Sequence, residues 1–166
     1  MKVIKKQMNS KMCLICGMKN PGGVQAAFYE MENRMLVSLF SFKEIHQSYP
    51  GRVHGGMIAA MLDELAHRAF WVYEPEKLAV TTSLSVKYRK PVPYHVPLLG
   101  IGEITKKTDR FFEATCRICL QDGTVLATSD VRYLILPPEK ITEASLHEEM
   151  SDYIEDDVRE ILLPCA

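Results

Sequence analysis

Residues 55–73, GGMIAAMLDELAHRAFWVY, decide the fold of this chain. The stretch is long enough for a helix, and its apolar residues fall on nearly every side of a 3.6-residue turn. A helix that is apolar all round is buried, so other elements must cover it. Its few polar positions therefore call for a partner or a function, and these are Asp63, Glu64, His67 and Arg68.

Strand-like segments lie on both sides of this helix. Short candidates precede it at 25–31 and 34–42, and longer ones follow at 80–92, 97–106, 111–121 and 124–136. One long buried helix followed by antiparallel strands predicts an α+β fold in which a sheet wraps around the helix. A single sheet leaves strand edges open, so self-association is expected.

The dipeptide Asp122-Gly123 predicts a two-residue hairpin turn between the last two strands. This turn places Val125 on the same apolar face as Cys116 and Ala127. The polar face then pairs Arg117 with Thr128, Thr115 with Asp130 and Glu113 with Arg132.

Three regions are predicted along the chain. Residues 1–12 read as a basic tail, 13–137 as the folded domain, and 138–166 as an acidic helical extension. In the extension, Ser145 and Glu148 have the spacing of a capping box. A stripe at helical spacing follows, formed by Leu146, Met150, Ile154, Val158 and Ile161 or Leu162.

Composition excludes several classes of protein. The chain has 166 residues, 47% of them hydrophobic, and a formal net charge of −1. These values are typical of a globular domain and exclude general disorder. A dedicated nucleic-acid binder would need a basic face. No segment has the apolar length of a transmembrane helix, and the N-terminal lysines precede no apolar leader region, so a cytoplasmic location without membrane attachment is expected.

The chain has five cysteines, and this odd number does not indicate a disulfide scaffold. Two C-x-x-C pairs, Cys13/Cys16 and Cys116/Cys119, raise the possibility of a four-cysteine zinc site. The second pair, however, lies in a strand-like run, where residues three apart point to opposite faces. Reduced thiols and no metal site are therefore predicted.

The junction His54-Gly55-Gly56 leads directly into the buried helix. Unpaired N–H groups and the helix dipole at such a terminus favour a carbonyl oxygen or an oxyanion. The alternative is a tight turn that simply requires glycine. The chain contains no G-x-S-x-G elbow, P-loop or G-x-G-x-x-G turn.

Each of the two carboxylates on the buried helix has a possible partner on the same helix. Glu64 can pair with Arg68 at i+4, and Asp63 can bond His67 at the same spacing. Burying a carboxylate that is neither paired nor used is costly. Asp63 is therefore either a partner of His67 or, together with the glycine turn, a base or nucleophile.

Several ordered strings resemble the hotdog-fold thioesterases of the phenylacetyl-CoA thioesterase type. They are HGGMIAAMLDE, TTSLSVKYRKPVP, DGTVLATSDVRYLIL and the upstream C-x-x-C-G-x-x-N-P-x-G. The resemblance implies a four- to six-stranded antiparallel sheet around the helix, assembled into homodimers or dimers of dimers. It also implies hydrolysis of acyl-CoA thioesters without a metal or organic cofactor.

The resemblance also implies roles for individual residues. His54, Gly55 and Gly56 match the family's turn, where the N–H of Gly56 polarises the thioester carbonyl, and Asp63 matches the catalytic carboxylate. Thr81 matches the position at which members of the family carry a Ser or Thr that assists catalysis across the dimer interface. Some relatives carry a water-positioning Asn where this chain has Ser48, near His46 and Gln47. Lys87, Arg89 and Lys90 are candidates for contacting the phosphates of coenzyme A.

Two other functions compete with hydrolysis. A hydratase of the same fold is disfavoured, because its D-x4-H arrangement requires His at the position of Arg68. A non-catalytic acyl-CoA binder or ligand-sensing subunit remains the alternative. The acyl group and the choice between base and nucleophile for Asp63 are left open.

Overall fold

The computed structural model describes residues 1–150 and 156–164. Within them, one seven-stranded antiparallel sheet wraps around α1 (Gly55–Trp71). Short 3-10 helices span Glu44–His46 and Pro138–Lys140, and α2 spans Leu146–Glu149. The strands are β1 (Val3–Lys6), β2 (Ala27–Met31), β3 (Leu36–Phe40), β4 (Leu78–Tyr88), β5 (Leu98–Lys107), β6 (Phe111–Leu120) and β7 (Val125–Leu136). The predicted α+β architecture is confirmed.

The strand order is β1-β2-β3-β5-β6-β7-β4, which leaves β1 and β4 at the edges. The count of seven exceeds the four to six strands implied by the family resemblance. The additional strand comes from the segment expected to be a basic tail, where β1 pairs antiparallel with β2. Its sequence, VIKK, has no alternation of apolar and polar residues that would predict a strand. The segment becomes a strand because it pairs with the edge of β2 that is otherwise open. No described helix has the length and apolarity needed to cross a bilayer.

Helix α1 lies on one face of the sheet and packs closely against β5. Leu65 of α1 is fully buried and sits over Gly100 and Gly102. A Cβ at Gly102 would lie 2.7 Å from the Leu65 carbonyl oxygen, and one at Gly100 would lie 2.9 Å from the Leu65 side chain. Glycine is therefore needed where the helix backbone approaches the strand.

The β6–β7 hairpin has the predicted long-range register but a different turn. Glu113 pairs with Arg132, as predicted, and their side chains are 3.8 Å apart. The turn, however, has three residues, because Leu120 pairs with Thr124 and Gly123 has a φ of +88°.

A register shift near Ile118 and Cys119 compensates for the longer turn. Leu126 becomes the extra residue and enters the main core, whereas Val125 pairs with Cys119 and packs on the opposite face. The predicted inward position of Val125 is therefore wrong.

The C-terminal segment packs on the sheet face opposite α1. Ile161 is buried there with Tyr29, Val37 and Ile101. The backbone of residues 159–161 bonds to residues 1–3 beside β1. A helix through Val158 and Ile161 is therefore wrong for the described residues, since backbone pairing with the N-terminus has replaced it. The stripe residue Ile154 lies outside the described residues.

Candidate active site

The N-terminus of α1 is closed by the side chain of His54. His54 is the N-cap, and its Nδ1 accepts a hydrogen bond of 2.9 Å from the Gly56 N–H. A Cβ at Gly56 would stand 3.0 Å from that nitrogen, so the small residue permits this contact. The Tyr88 hydroxyl donates to the Gly55 carbonyl at 2.9 Å, which fixes the turn to β4. In this conformation the Gly56 N–H already has an acceptor.

Asp63 lies two helical turns further along α1, and its carboxylate contacts β4. The Thr81 hydroxyl is 2.9 Å from Oδ1 and 3.1 Å from Oδ2 of Asp63 in the same chain. A register shift between Thr81 and Ser83 interrupts the alternation of β4. Because of this bulge, Thr81 and Leu84 both face the helix, although they are three residues apart. The bulge therefore directs a hydroxyl donor at the helix carboxylate.

Tyr133, which belongs to a stack of aromatic rings, contacts the main chain of Asp63. The Tyr133 hydroxyl donates to the Asp63 main-chain carbonyl at 2.8 Å. The Tyr133 ring stacks on Phe112 and on His67, with centroid distances of 4.8 and 5.6 Å. Within the described chain, the Asp63 carboxylate makes no hydrogen bond to His67, whose Nε2 is without a hydrogen-bond partner. The alternative pairing of Asp63 with His67 is wrong.

Glu64 has the partner that the i+4 spacing indicated. Arg68 Nε is 2.8 Å from Glu64 Oε1, and the Arg68 side chain is 1% exposed between Phe28 and Trp71. Burial alone would raise the pKa of Glu64, but the Arg68 guanidinium outweighs it and lowers that pKa. The ion pair accounts for Glu64, whereas the Asp63 carboxylate has a hydroxyl donor and, within the described residues, no ion pair.

A cleft of about 350 Å³ opens beside the start of α1. It gathers most of the residues expected to bind substrate, since Ser48, Gly55, Arg89 and Lys90 all line it. Lys87 does not, because it alternates with Tyr88 along β4 and points to the other side. Arg52 and Tyr88 also line the cleft. Three cationic side chains therefore share its wall and rim.

Ser48 and His46 have different positions relative to this cleft. Ser48 lines it, and its backbone N–H bonds to the Arg52 carbonyl. His46 is buried, with Nε2 2.8 Å from the Gly22 carbonyl and Nδ1 accepting from the Lys43 N–H. Both ring nitrogens of His46 are thus used within the loop, which leaves Ser48 as the polar group of this segment at the cleft.

Arg52, Tyr88 and Tyr133 are the site residues that the sequence analysis missed. Tyr88 has a signal, because it continues the inward alternation of Leu84 and Val86 toward the glycine turn. Tyr133 has a weaker one, an aromatic residue on the core face of β7. Arg52 has none, since only the folded loop brings it beside Arg89 and Lys90.

The cysteine pairs are separated in the fold. Cys116 lies in the core facing α1 and Cys119 in the cluster on the other face, as predicted for a strand. A four-cysteine site from both pairs is therefore not formed. Among the described residues, the one cluster with metal-ligand geometry consists of Cys13, Cys16 and Glu64.

Comparisons with known proteins agree with this architecture. Residues 50–127 match the family model of the thioesterase superfamily. Similar curated proteins include acyl-coenzyme A thioesterase THEM4 from mouse and from rat, which are 29% and 30% identical over 116 residues. Each alignment covers 69% of this chain and 49% of the relative, so the chain spans about half the length of these proteins.

Solved structures show the same fold. A thioesterase superfamily protein superposes with a TM-score of 0.68 and 23% identity, over 74% of this chain and 63% of that one. A hypothetical thioesterase from Streptococcus pneumoniae, solved with coenzyme A, superposes with a TM-score of 0.61 and 17% identity, over 67% and 85% of the two chains. The hotdog fold and the resemblance to the thioesterases are confirmed.

Proposed function

We propose that this chain, which has the hotdog fold and the sequence pattern of the thioesterase superfamily, hydrolyses acyl-CoA thioesters to a free acid and coenzyme A. The observation that carries the proposal is the half-buried Asp63 carboxylate, which accepts a hydrogen bond from Thr81 and has no ion pair within the described residues. A structural carboxylate would be paired as Glu64 is paired. Asp63 instead has one hydroxyl donor and keeps lone pairs for a reacting water.

In the proposed reaction, Asp63 acts as general base. It removes a proton from water, and the resulting hydroxide attacks the thioester carbonyl carbon. The tetrahedral intermediate then collapses, the C–S bond breaks, and the coenzyme A thiolate leaves and takes up a proton. In the nucleophilic variant, an Asp63 oxygen attacks first, the C–S bond breaks and the coenzyme A thiolate leaves, and water then hydrolyses the mixed anhydride. Either route regenerates the carboxylate.

We assign carbonyl polarisation to the Gly56 N–H, which is a donor of the oxyanion-hole type. This N–H donates to His54 Nδ1 in the present conformation, so the substrate carbonyl must replace that acceptor. Rotation of the His54 ring about its side-chain torsions would release the N–H without unwinding α1. The same engaged N–H is the observation that favours the second candidate, a non-catalytic acyl-CoA binder.

The active site is proposed to form between two subunits. Gly56 and Asp63 are seven residues apart, which is about 10 Å along a helix axis. The Asp63 side chain leans toward the N-terminus and closes only part of that gap. A thioester carbon within about 3.5 Å of its attacking oxygen is difficult to place in one chain. An antiparallel partner helix would bring its own Asp63 to this Gly56.

Coenzyme A is assigned to the cleft beside α1. Its phosphates are anionic, and Arg52, Arg89 and Lys90 supply positive charge around an opening that leads to Gly55. Ser48 can hydrogen-bond a substrate atom or a water there. Lys87 lies outside this cleft and has no proposed contact with the phosphates.

The deciding experiment is a thiol-release assay across aryl-, short-, medium- and long-chain acyl-CoAs, with Asp63→Asn beside the parent chain. We expect turnover of at least one class and a loss of at least about a hundredfold in the variant, the scale of removing an acid–base group. Asp130→Asn is the matched control, because Asp130 is exposed on β7. Binding of acyl-CoA without turnover would support the binder, and full activity of Asp63→Asn would reject the assigned base.

A further inference from the structure

The loop 13–17, CLICG, places two thiols beside the carboxylate of Glu64. The Sγ atoms of Cys13 and Cys16 and a carboxylate oxygen of Glu64 all lie within 4.8 Å of one another. Cys16 is 1% exposed, whereas Cys13 is partly accessible. The proposed hydrolysis uses none of these three groups.

The loop conformation presents both sulfur atoms on one side. The Ile15 N–H donates to Cys13 Sγ at 3.3 Å, and the Gly17 N–H bonds to the Cys13 carbonyl at 2.8 Å. A Cβ at Gly17 would overlap that carbonyl oxygen, so the tight loop requires glycine there. Ser10 Oγ lies within hydrogen-bond distance of Cys16 Sγ, at 3.3 Å, and helps to hold it. Donation from an N–H to sulfur stabilises the thiolate form, which is the form that binds metals.

Glu64 is oriented toward the thiols by Arg68. Its Oε1 is bound to Arg68 Nε, and its Oε2 is 3.9 Å from Cys13 Sγ. Arg68 is itself held by the Met8 carbonyl at 2.6 Å. Glu64 from the helix and the two cysteines from the loop therefore bring their ligand atoms to one place.

We propose that Cys13, Cys16 and Glu64 form a binding site for a thiophilic divalent cation of the zinc class. In a tetrahedral site with metal–sulfur distances of about 2.3 Å and metal–oxygen distances of about 2.0 Å, sulfur and oxygen are about 3.5 Å apart. The 3.9 Å between Cys13 Sγ and Glu64 Oε2 requires only a small adjustment. A water supplies the fourth ligand, because the Ser10 hydroxyl oxygen already accepts a hydrogen bond from the Cys13 N–H.

The charges of this site balance when the cation is bound. Two thiolates and one carboxylate carry three negative charges, and the cation with the Arg68 guanidinium carries three positive ones. Both thiols lose their protons when the metal binds, because the thiolate is the form that ligates it. Arg68 then remains as an outer partner that orients Glu64.

The site ties the N-terminal loop to the middle of α1, one residue after Asp63. Its role is structural, because Glu64 points away from Thr81 and into the loop. We therefore expect metal removal to lower the Tm and to leave the activity of the folded fraction within about twofold. Loss of activity in parallel with the metal, without unfolding, would overturn the structural role.

The test measures the metal content of the full chain, expressed in zinc-supplemented medium and purified without chelator. About one equivalent per chain is expected in the parent, as for a structural zinc site. Less than about a tenth is expected in Cys13→Ser and in Cys16→Ser. Cys116→Ser is the matched control, because it removes a buried thiol elsewhere and should retain the metal.

A second measurement uses the parent chain alone, so that it does not depend on the folding of a variant. Co²⁺ added to the reduced, metal-free chain should give thiolate-to-metal charge-transfer absorption with a one-to-one endpoint, reversed by Zn²⁺. Absence of this band together with absence of bound zinc overturns the proposal. A Cys13–Cys16 disulfide in place of the metal, detected by mass spectrometry after purification without reductant, also overturns it. Neither result depends on thioesterase activity.

Discussion

The Thr81 hydroxyl donates to the Asp63 carboxylate, 2.9 Å from Oδ1 and 3.1 Å from Oδ2. The two residues lie on different elements and meet because a bulge in β4 turns Thr81 toward α1. One hydroxyl proton that serves two carboxylate oxygens restricts the rotation of the group and leaves lone pairs that can accept from a water.

Replacing Thr81 by Val tests this relationship, since valine keeps the shape and removes the donor. We expect kcat to fall roughly tenfold to a hundredfold, because a hydrogen bond to a charged group contributes about 1.5–3 kcal/mol. KM should change little. Thr82→Val is the control, since the Thr82 hydroxyl bonds to the Arg132 carbonyl instead. Equal effects of the two substitutions would mean that Thr81 acts through strand stability alone.

The shared active site predicts that two inactive variants restore each other. Asp63→Asn and Gly56→Pro are unfolded together in equal amounts and refolded, and proline is tolerated in the first helical turn. Random pairing makes about half of the dimers mixed. Each mixed dimer has one intact site if Gly56 and Asp63 act in trans, so about a quarter of the activity should return.

Thr81 provides an internal control for that mixing experiment. Thr81→Val lies in the same chain as its Asp63, so it should be complemented by Gly56→Pro and not by Asp63→Asn. If no combination recovers activity although mixed dimers are present, the site lies within one chain.

The contact between β5 and α1 predicts a stability effect at Gly102. Alanine there would bring its Cβ to 2.7 Å from the Leu65 carbonyl and 3.2 Å from Ala69. We expect a loss of about 1–3 kcal/mol in the free energy of unfolding, the usual range for overpacking. Gly22→Ala is the control, because its Cβ would meet nothing closer than 3.6 Å. Urea unfolding of both variants measures the difference, and equal midpoints would contradict the close contact.

The attachment of the C-terminal segment predicts a pH dependence of stability. Asp156 accepts from the Tyr29 hydroxyl at 2.6 Å and pairs with Lys6. Partial burial would raise the pKa of Asp156, but the hydrogen bonds from Lys6 and Tyr29 outweigh it and lower that pKa. A lowered carboxyl pKa contributes stability above its unfolded value of about 3.9, and this contribution is lost as the pH falls through the folded value.

Asp156→Asn should therefore lower the free energy of unfolding at pH 7 by at most about 1 kcal/mol, as for an ion pair at the protein surface. The difference between variant and parent should vanish at low pH, where both side chains are uncharged. Urea titrations at pH 7 and at several pH values below about 3 measure it, because the lowered pKa keeps part of Asp156 charged at pH 3. A difference that persists at low pH would mean that Asp156 contributes through packing instead of charge.

The β6–β7 hairpin shows how far sequence patterns determine pairing. Alternation along both strands predicts the pair Glu113–Arg132, because a register slip of one residue would expose the core face. The turn length was not predictable in this way. A longer turn and a bulge at Leu126 cancel each other over most of the hairpin, and only Val125 and Leu126, next to the turn, change face.

The sequence by itself determined the buried helix, six of the seven strands and the pair Glu64–Arg68, because each depends on the period of a local segment. Tertiary structure alone decided that VIKK forms β1, that Arg52 joins Arg89 and Lys90, and that Cys13 and Cys16 meet Glu64. These contacts join residues far apart in the chain, and their geometry follows from sheet register, bulges and helix packing. The periodicity of a local segment does not encode those features. The sequence therefore identified Asp63 as the candidate base, but only the tertiary structure shows that Thr81 donates a hydrogen bond to it.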